Sequence, residues 1–186
     1  SRTDPDARLF RKGKGKETKL SHMGHALVEN RHGLVMNVCV TEASGRAESQ
    51  AALNMLDDLH RRQSCQPTTL GADKGYDGGP FYRELESRGV APHVAMIRTS
   101  GRNPKHVRKA DLENIAARDR MRDRTESTGY RLSQRCRKKS EECFSWLKGI
   151  AGLGRSRWPK RWKLKQQMEL AAAGYNLLRI RKLMKA

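Results

Sequence analysis

Thr68-Thr69-Leu70-Gly71-Ala72-Asp73-Lys74-Gly75-Tyr76-Asp77-Gly78-Gly79-Pro80 is the stretch on which the fold turns. Gln66-Pro67 breaks the chain just before it. Thr68 to Ala72 reads as a short strand ending at Asp73. A Gly-rich turn follows, and Pro80 suits the first turn of a helix that runs through Arg88 and stops at Gly89. Val90 to Ile97 reads as a second strand, with Pro92 confining it to an edge or a strand start. In an open α/β sheet, ligands and metals gather beyond the carboxyl ends of strands. A carboxylate at Asp73 is therefore held by rigid backbone yet open to substrate, and Gly75 lets a phosphate or metal approach the main chain. The alternative is that Asp73 only caps the turn or the next helix. Asp77, just before Gly78 and Pro80, is the better pure turn or N-cap residue.

Outward from this stretch the chain alternates in type. Residues 1 to 19 are basic and Gly-rich and read as an arm. Lys19 to Asn30 and Leu34 to Val40 form a β-hairpin about Asn30-Arg31-His32-Gly33. Ser44-Gly45 opens a helix in which Ala52, Met55, Leu56 and Leu59 recur at helical spacing as far as His60. Residues 98 to 129 read as a mobile basic loop, with some helix near Leu112 to Arg120. A helix runs from about Ser133 to Gly149. A last one runs from about Leu164 to Leu183, with Leu164, Met168, Ala171, Tyr175 and Leu178 along one stripe. Hairpin, helix, strand, helix, strand, loop and helices in that order make an α/β chain.

The 186 residues carry 39 Lys and Arg against 20 Asp and Glu, a formal net charge of +19. So large an excess strains a folded chain by self-repulsion, which a polyanion relieves, and nucleic acid is the usual one. Cys39, Cys65, Cys136 and Cys143 form no CxxC pair and have no His at zinc-site spacing. Free buried thiols in a reducing cytoplasm are expected. No apolar run reaches the roughly 20 residues of a membrane span.

The helix over 133–149 carries the second candidate acid. With about 100° per residue and Glu141 at zero, Arg137 lies at about −40° and Lys148 at about −20°. Cys136, Cys143, Trp146, Leu147 and Ile150 fall on the opposite side. An Arg-Glu-Lys front suits phosphodiester chemistry, the carboxylate binding a divalent metal and the cations holding phosphates. The alternative is a solvated face with a weak ion pair. Glu142 is turned about 100° away. From Arg135 to Lys165 there are 11 Lys or Arg against Glu141 and Glu142, with Trp146, Trp158 and Trp162 interleaved. Trp146 is a core residue on this reading. Trp158 and Trp162 either stack on unpaired bases or merely pack.

At these residues the chain resembles bacterial insertion-sequence transposases of the DDE type, especially relatives of insertion sequence five. The matching stretches are Thr3-Asp4-Pro5-Asp6-Ala7-Arg8-Leu9, GKGKE at 13–17, LGADKGYD at 70–77, Pro92-His93-Val94-Ala95, SQRCRKKSEECFSWLK at 133–148 and LAAAGYNLLRIRKL at 170–183. The resemblance implies a ribonuclease-H-like mixed sheet with flanking helices, three metal-binding acids and Mg²⁺ (or Mn²⁺). It maps the second acid onto Asp73. It maps the third onto Glu141, through a Tyr-x2-Arg-x3-Glu-x6-Lys signature that Arg137, Glu141 and Lys148 fit. Gln134 stands at the tyrosine position, and Tyr130 lies one helical turn earlier.

The first acid of the family pattern falls on a strand before Ser1, and Asp4 and Asp6 match a later part of the pattern. That strand is central to the family's sheet. The hairpin and the strand at 68–72 are then expected to lack their shared neighbour, and the polypeptide alone to be poorly stable or inactive. On this reading residues 1–186 are one truncated catalytic domain that cuts and joins double-stranded DNA, possible as a homodimer on DNA. Phosphate contacts fall to Arg137, Lys148, Lys74, Arg135 and Lys138. Arg155, Arg157, Lys160 and Arg161 extend them, with Trp158. The competing readings are an inactive remnant, a non-catalytic nucleic-acid-binding protein and a basic ribosome-associated protein.

Overall fold

The computed structural model describes residues 2–11, 13, 15–97, 109–155 and 158–185. It is a mixed α/β structure that divides into two compact units, Ser1–Gln63 with Lys139–Ala186, and Ser64–Lys138. No helix among the described residues is long and apolar enough to cross a membrane.

The first unit is built on a three-stranded antiparallel sheet of β1 (Arg8–Phe10), β2 (Lys19–Val28) and β3 (Val35–Glu42), in that order. The segment expected as a plain arm thus contributes a strand, pairing Arg8 to Phe10 with Lys19 to Ser21. The β2–β3 hairpin closes at residues 29–34, where Glu29 N–H donates to the Leu34 carbonyl at 2.8 Å. Gly33 adopts φ +77, the left-handed conformation that glycine reaches without steric cost. The Glu29 carboxylate accepts the His32 N–H at 2.8 Å, so the turn is held from inside.

Strand alternation then gives the sheet two apolar faces. Asn37 donates to the Met55 carbonyl of α1 (Ala47–Gln63) at 3.1 Å and to Asp58, which fixes α1 on one face. Its neighbours in sequence, Val38 and Val40, join Cys143 and Leu147 of α5 (Lys138–Gly149) and Met168, Ala172 and Tyr175 of α6 (Arg161–Leu183). Trp146 packs against this cluster with its ring 5.7 Å from that of Tyr175, which bears out its reading as a core residue. Leu178, on the expected stripe of α6, is 46% exposed. Cys143 is fully buried, and burial pushes its thiol up to about 12. Cys65 is exposed, against the expectation for free thiols, because it sits in the break between α1 and β4.

The second unit holds β4 (Thr69–Ala72) and β5 (Ala91–Val94), paired in parallel from Thr69 with Ala91 to Ala72 with Val94. Helix α2 (Gly79–Ser87) connects them, and α3 (Lys109–Arg124) and α4 (Thr128–Cys136) complete the unit. Tyr82, Leu85, Val90, Val94, Ala117 and Met121 are almost wholly buried in it. Residues 98–108 of the expected loop lie outside the described residues. The rest of that stretch is helix at 109–124 and from Thr128, longer than the helix expected near Leu112 to Arg120, with a turn at 125–127. Ala117 and Met121, four residues apart, bury one face of α3, while Glu86 of α2 pairs with Arg120 at 2.6 Å and Arg124 at 2.7 Å. The Arg120 hydrogen bond holds the Glu86 carboxyl below the usual carboxylate range.

Helices α2 and α3 meet at Gly79. A Cβ there would lie 2.5 Å from the Asn114 carbonyl oxygen and 2.7 Å from its Cα. Gly79→Ala must push two backbones apart, and the expected cost is roughly 1–3 kcal/mol. Faster amide exchange in α2 and α3, with α1 unchanged, is the measurement that checks it.

Two histidines make stability depend on pH. Burial lowers the pKa of His25, which pairs with the Thr41 hydroxyl at 2.8 Å, and of His93 on β5. In each the folded state disfavours the proton that the unfolded chain takes up near the ordinary value of 6.5. Stability is therefore highest above that value and falls as pH drops through it toward the depressed folded pKa. Urea midpoints should decline between pH about 7.5 and about 5.5. His93→Phe should flatten the decline read by exchange in β4 and β5; an equal decline in that variant would contradict the assignment.

Candidate active site

Asp73 is the first residue beyond β4, with extended backbone (φ −85, ψ −176). Its Oδ1 accepts the Gly75 N–H at 2.9 Å and so caps a single 3-10 turn, Lys74–Tyr76. The side chain remains exposed. The capping reading is met, and the cap orients the carboxylate without burying it.

Asp77 is neither a turn nor an N-cap side chain. Gly78 occupies the N-cap of α2 and makes no side-chain cap bond. The Asp77 side chain is fully buried and accepts from three donors: the Tyr82 hydroxyl at 2.7 Å, the Ile97 N–H at 2.7 Å and Arg118 at 3.0 Å. A buried carboxylate is tolerable only when paired and hydrogen-bonded, and the cation and two neutral donors meet that condition. Burial raises the Tyr82 hydroxyl far above the usual tyrosine range, and its bond to Asp77 adds to the shift. The two acids of one Gly-rich turn therefore differ in kind: Asp77 anchors and Asp73 is available.

Helix α4 packs against β4 so closely that a Cβ on Gly71 would lie 2.9 Å from the Ser133 Oγ. Two of its side chains reach the carboxyl ends of the strands. Tyr130 donates to the Val94 carbonyl at 3.4 Å and meets the His93 ring edge-on at 5.8 Å. Gln134 donates from Nε2 to the Ala72 carbonyl at 3.2 Å and to the His93 carbonyl. Its Oε1 accepts from Arg137 Nε at 3.4 Å. Nothing in the spacing of the sequence marks Gln134 for this place; the only signal is that it replaces a tyrosine in the signature.

The helix expected over 133–149 is broken. Helix α4 ends at Cys136 and α5 starts at Lys138, with Arg137 between them in helical conformation (φ −52, ψ −30). Arg135, Arg137, Lys138 and Lys139 put four cations in five residues. Like charges three and four apart weaken a helix by roughly 0.2–0.5 kcal/mol per pair. Glu141 and Lys148 do share α5, seven residues apart, and both are exposed. Arg137 does not share that helix, so the single three-residue stripe is corrected to a pair. Lys148 lies over the Phe144 ring at 5.5 Å. Ile150, expected on the apolar back, follows the helix end and is 76% exposed. Glu142 pairs with Arg179 at 3.6 Å.

The expected phosphate ligands occupy both units. Lys74, Arg135 and Lys138 are exposed in the second unit, where Arg137 is half-buried. Arg155, Trp158, Lys160 and Arg161 are exposed in the first, and Arg161 lies 3.8 Å from Asp6. Arg157 lies outside the described residues. Lys163 Nζ sits 5.9 Å from the Trp158 ring and 5.4 Å from the Trp162 ring, a cation between two exposed indoles. Asp73 belongs to the second unit and Glu141 to the first. No group of three or more His, Cys, Asp or Glu side chains able to hold a metal occurs among the described residues. As donors, however, both acids fit a hard divalent cation, since each is a carboxylate on an exposed residue.

A strongly basic α/β chain with an exposed acid closing a parallel strand has the charge and the carboxylate that chemistry on a polynucleotide requires. The family model described as the transposase DDE domain matches residues 3–177. The chain belongs to that family, whose members are insertion-sequence transposases and whose substrate is DNA. No curated protein and no solved structure matches it.

Proposed function

We propose that the chain is the catalytic domain of an insertion-sequence transposase, ribonuclease-H-like and related to insertion sequence five, which cleaves DNA at the element ends and joins those ends to a target. Residues 1–186 belong to one catalytic domain on this reading, and the basic segment before β2 contributes β1 to its sheet. The observation that carries this reading is the placement of Asp73: exposed, just past a parallel strand, and held by the Gly75 N–H. Asp73 and Glu141 are the second and third acids, and the first is assigned to no residue of this chain. These two carboxylates would hold Mg²⁺ or Mn²⁺. When bound, such ions polarise phosphoryl oxygens and lower the pKa of water.

The chain's own residues supply position and charge. The cap at Gly75 fixes the direction of the Asp73 carboxylate before substrate arrives. Arg137, Lys148, Lys74, Arg135 and Lys138 hold backbone phosphates, and Arg155, Arg157, Lys160 and Arg161 widen that grip. Trp158 offers a stacking face beside them. Such binding is dominated by release of counterions.

Two measurements test the proposal. Duplex affinity should fall about 10³-fold or more between roughly 50 and 200 mM salt, as expected when about six or more phosphates are neutralised. A chain extended upstream by the family's first acid-bearing strand should nick supercoiled plasmid with Mg²⁺ or Mn²⁺ and not with EDTA. Tight binding without nicking in that extended chain would leave only a non-catalytic basic protein.

A further inference from the structure

We propose that Gln134 is a positioning residue of the site, which locks the peptide carrying Asp73 and holds Arg137 in place for a DNA phosphate. The proposal rests on the reading of Arg137 as a phosphate ligand given above.

A carbonyl oxygen has two lone pairs, so at the end of a parallel sheet it can accept a second hydrogen beside its ladder bond. Here the last carbonyl before Asp73, that of Ala72, accepts two hydrogens: from Ala95 N–H at 3.0 Å and from Gln134 Nε2 at 3.2 Å. That carbonyl lies in the same rigid peptide plane as the Asp73 nitrogen, so fixing one fixes the other. The second hydrogen of the Gln134 amide goes to the His93 carbonyl on β5, which ties the two strand ends together. The remaining polar atom, Oε1, accepts from Arg137. A carboxamide offers two N–H donors on one nitrogen and an acceptor oxygen, and all three functions are used. A tyrosine hydroxyl has one hydrogen to give and cannot tie both strands. A glutamate in its place would set oxygens against the two carbonyls. Tyr130, one turn earlier, takes the next carbonyl, that of Val94. The inner face of α4 thus closes the strand ends, and one residue of it also reaches the cation of the signature.

Gln134 carries no charge, and this separates a positioning role from a merely structural one. When a protein gives up one of its phosphate ligands, the slope of log affinity against log salt falls by about 1. Arg137→Met should lower the slope for duplex DNA by about 1 through loss of the cation. Gln134→Met removes no charge, yet should lower it by up to the same amount, because Arg137 loses its hydrogen bond to Gln134 and with it part of its hold on the phosphate. The double variant should show no further drop. An unchanged slope in Gln134→Met, beside a reduced slope in Arg137→Met, overturns the proposal and leaves the phosphate reading standing. An unchanged slope in Arg137→Met removes the phosphate reading, and this proposal with it. Should Gln134→Met fail to fold, the wild-type chain still decides: NMR couplings through hydrogen bonds from the Gln134 side-chain nitrogen to the Ala72 and His93 carbonyl carbons are expected, and their absence overturns it.

Discussion

Asp73→Ala and Glu141→Ala, each made in a chain extended upstream by the first acid-bearing strand, should abolish metal-dependent cleavage while leaving duplex affinity within about twofold. The loss is expected to be about 10³-fold or more, beyond the roughly 10- to 100-fold that removal of a metal's outer-shell partner costs. The reasoning is local. Both side chains are exposed. Truncation therefore removes ligand oxygens without opening a cavity, and neither residue is among the cations that hold the backbone. Asp73→Asn is the stricter control. It keeps an acceptor for the Gly75 N–H, so the turn survives while the charge is lost. If Asp73→Asn cleaved at the original rate, Asp73 would be only the cap of its turn.

The largest effect on stability should come from Asp77→Ala. It takes away the one carboxylate on which Arg118, the Tyr82 hydroxyl and the Ile97 N–H converge. Breaking a buried ion pair by removing one partner costs roughly 3–5 kcal/mol, and the 28% exposure of the Arg118 side chain sets the expected loss at the lower end of that range. Asp77→Asn keeps one acceptor and should cost less. The three tryptophans, Trp146, Trp158 and Trp162, all lie in the first unit, so their fluorescence is a poor reporter of this change. Hydrogen exchange of β4, β5 and α2 reads it directly. A loss below about 1 kcal/mol would mean that the buried network contributes little beyond specificity.

Much of the fold is legible in the sequence where periodicity is strong. The β2–β3 hairpin, α1, β4, α2 and α6 are all indicated by alternation, helical spacing or the punctuation of Gly and Pro. Helix α3 is less so, since its apolar face is little more than Ala117 and Met121, and its other ties are ion pairs of Arg118, Arg120, Arg124 and Glu113 with partners on α2 or before it. The break at Arg137 is hidden from the sequence because an ideal wheel assumes an unbroken ladder. Asp73 can be singled out from its place after a strand. Asp77 cannot be told from a turn residue, because its burial depends on Arg118, 41 positions away. Gln134 shows in the sequence only as a departure from the tyrosine of the signature. Its meaning appears only when α4 meets the strand ends.

The account stands on Asp73 and Glu141 sharing metal ions. Carboxylates that would hold divalent ions in common must come within roughly 8 Å of each other. The direct test is chemical. Cys39, Cys65 and Cys136 are replaced by Ser and Cys143 by Ala, and Asp73→Cys and Glu141→Cys are introduced together. A bifunctional thiol reagent spanning about 8 Å is then applied to the chain on duplex DNA. Efficient cross-linking within one chain, absent from either single variant, is the predicted result. If the reagent joins the two positions no better than it joins Asp73→Cys to a cysteine placed at an unrelated exposed position, the shared metal site does not exist.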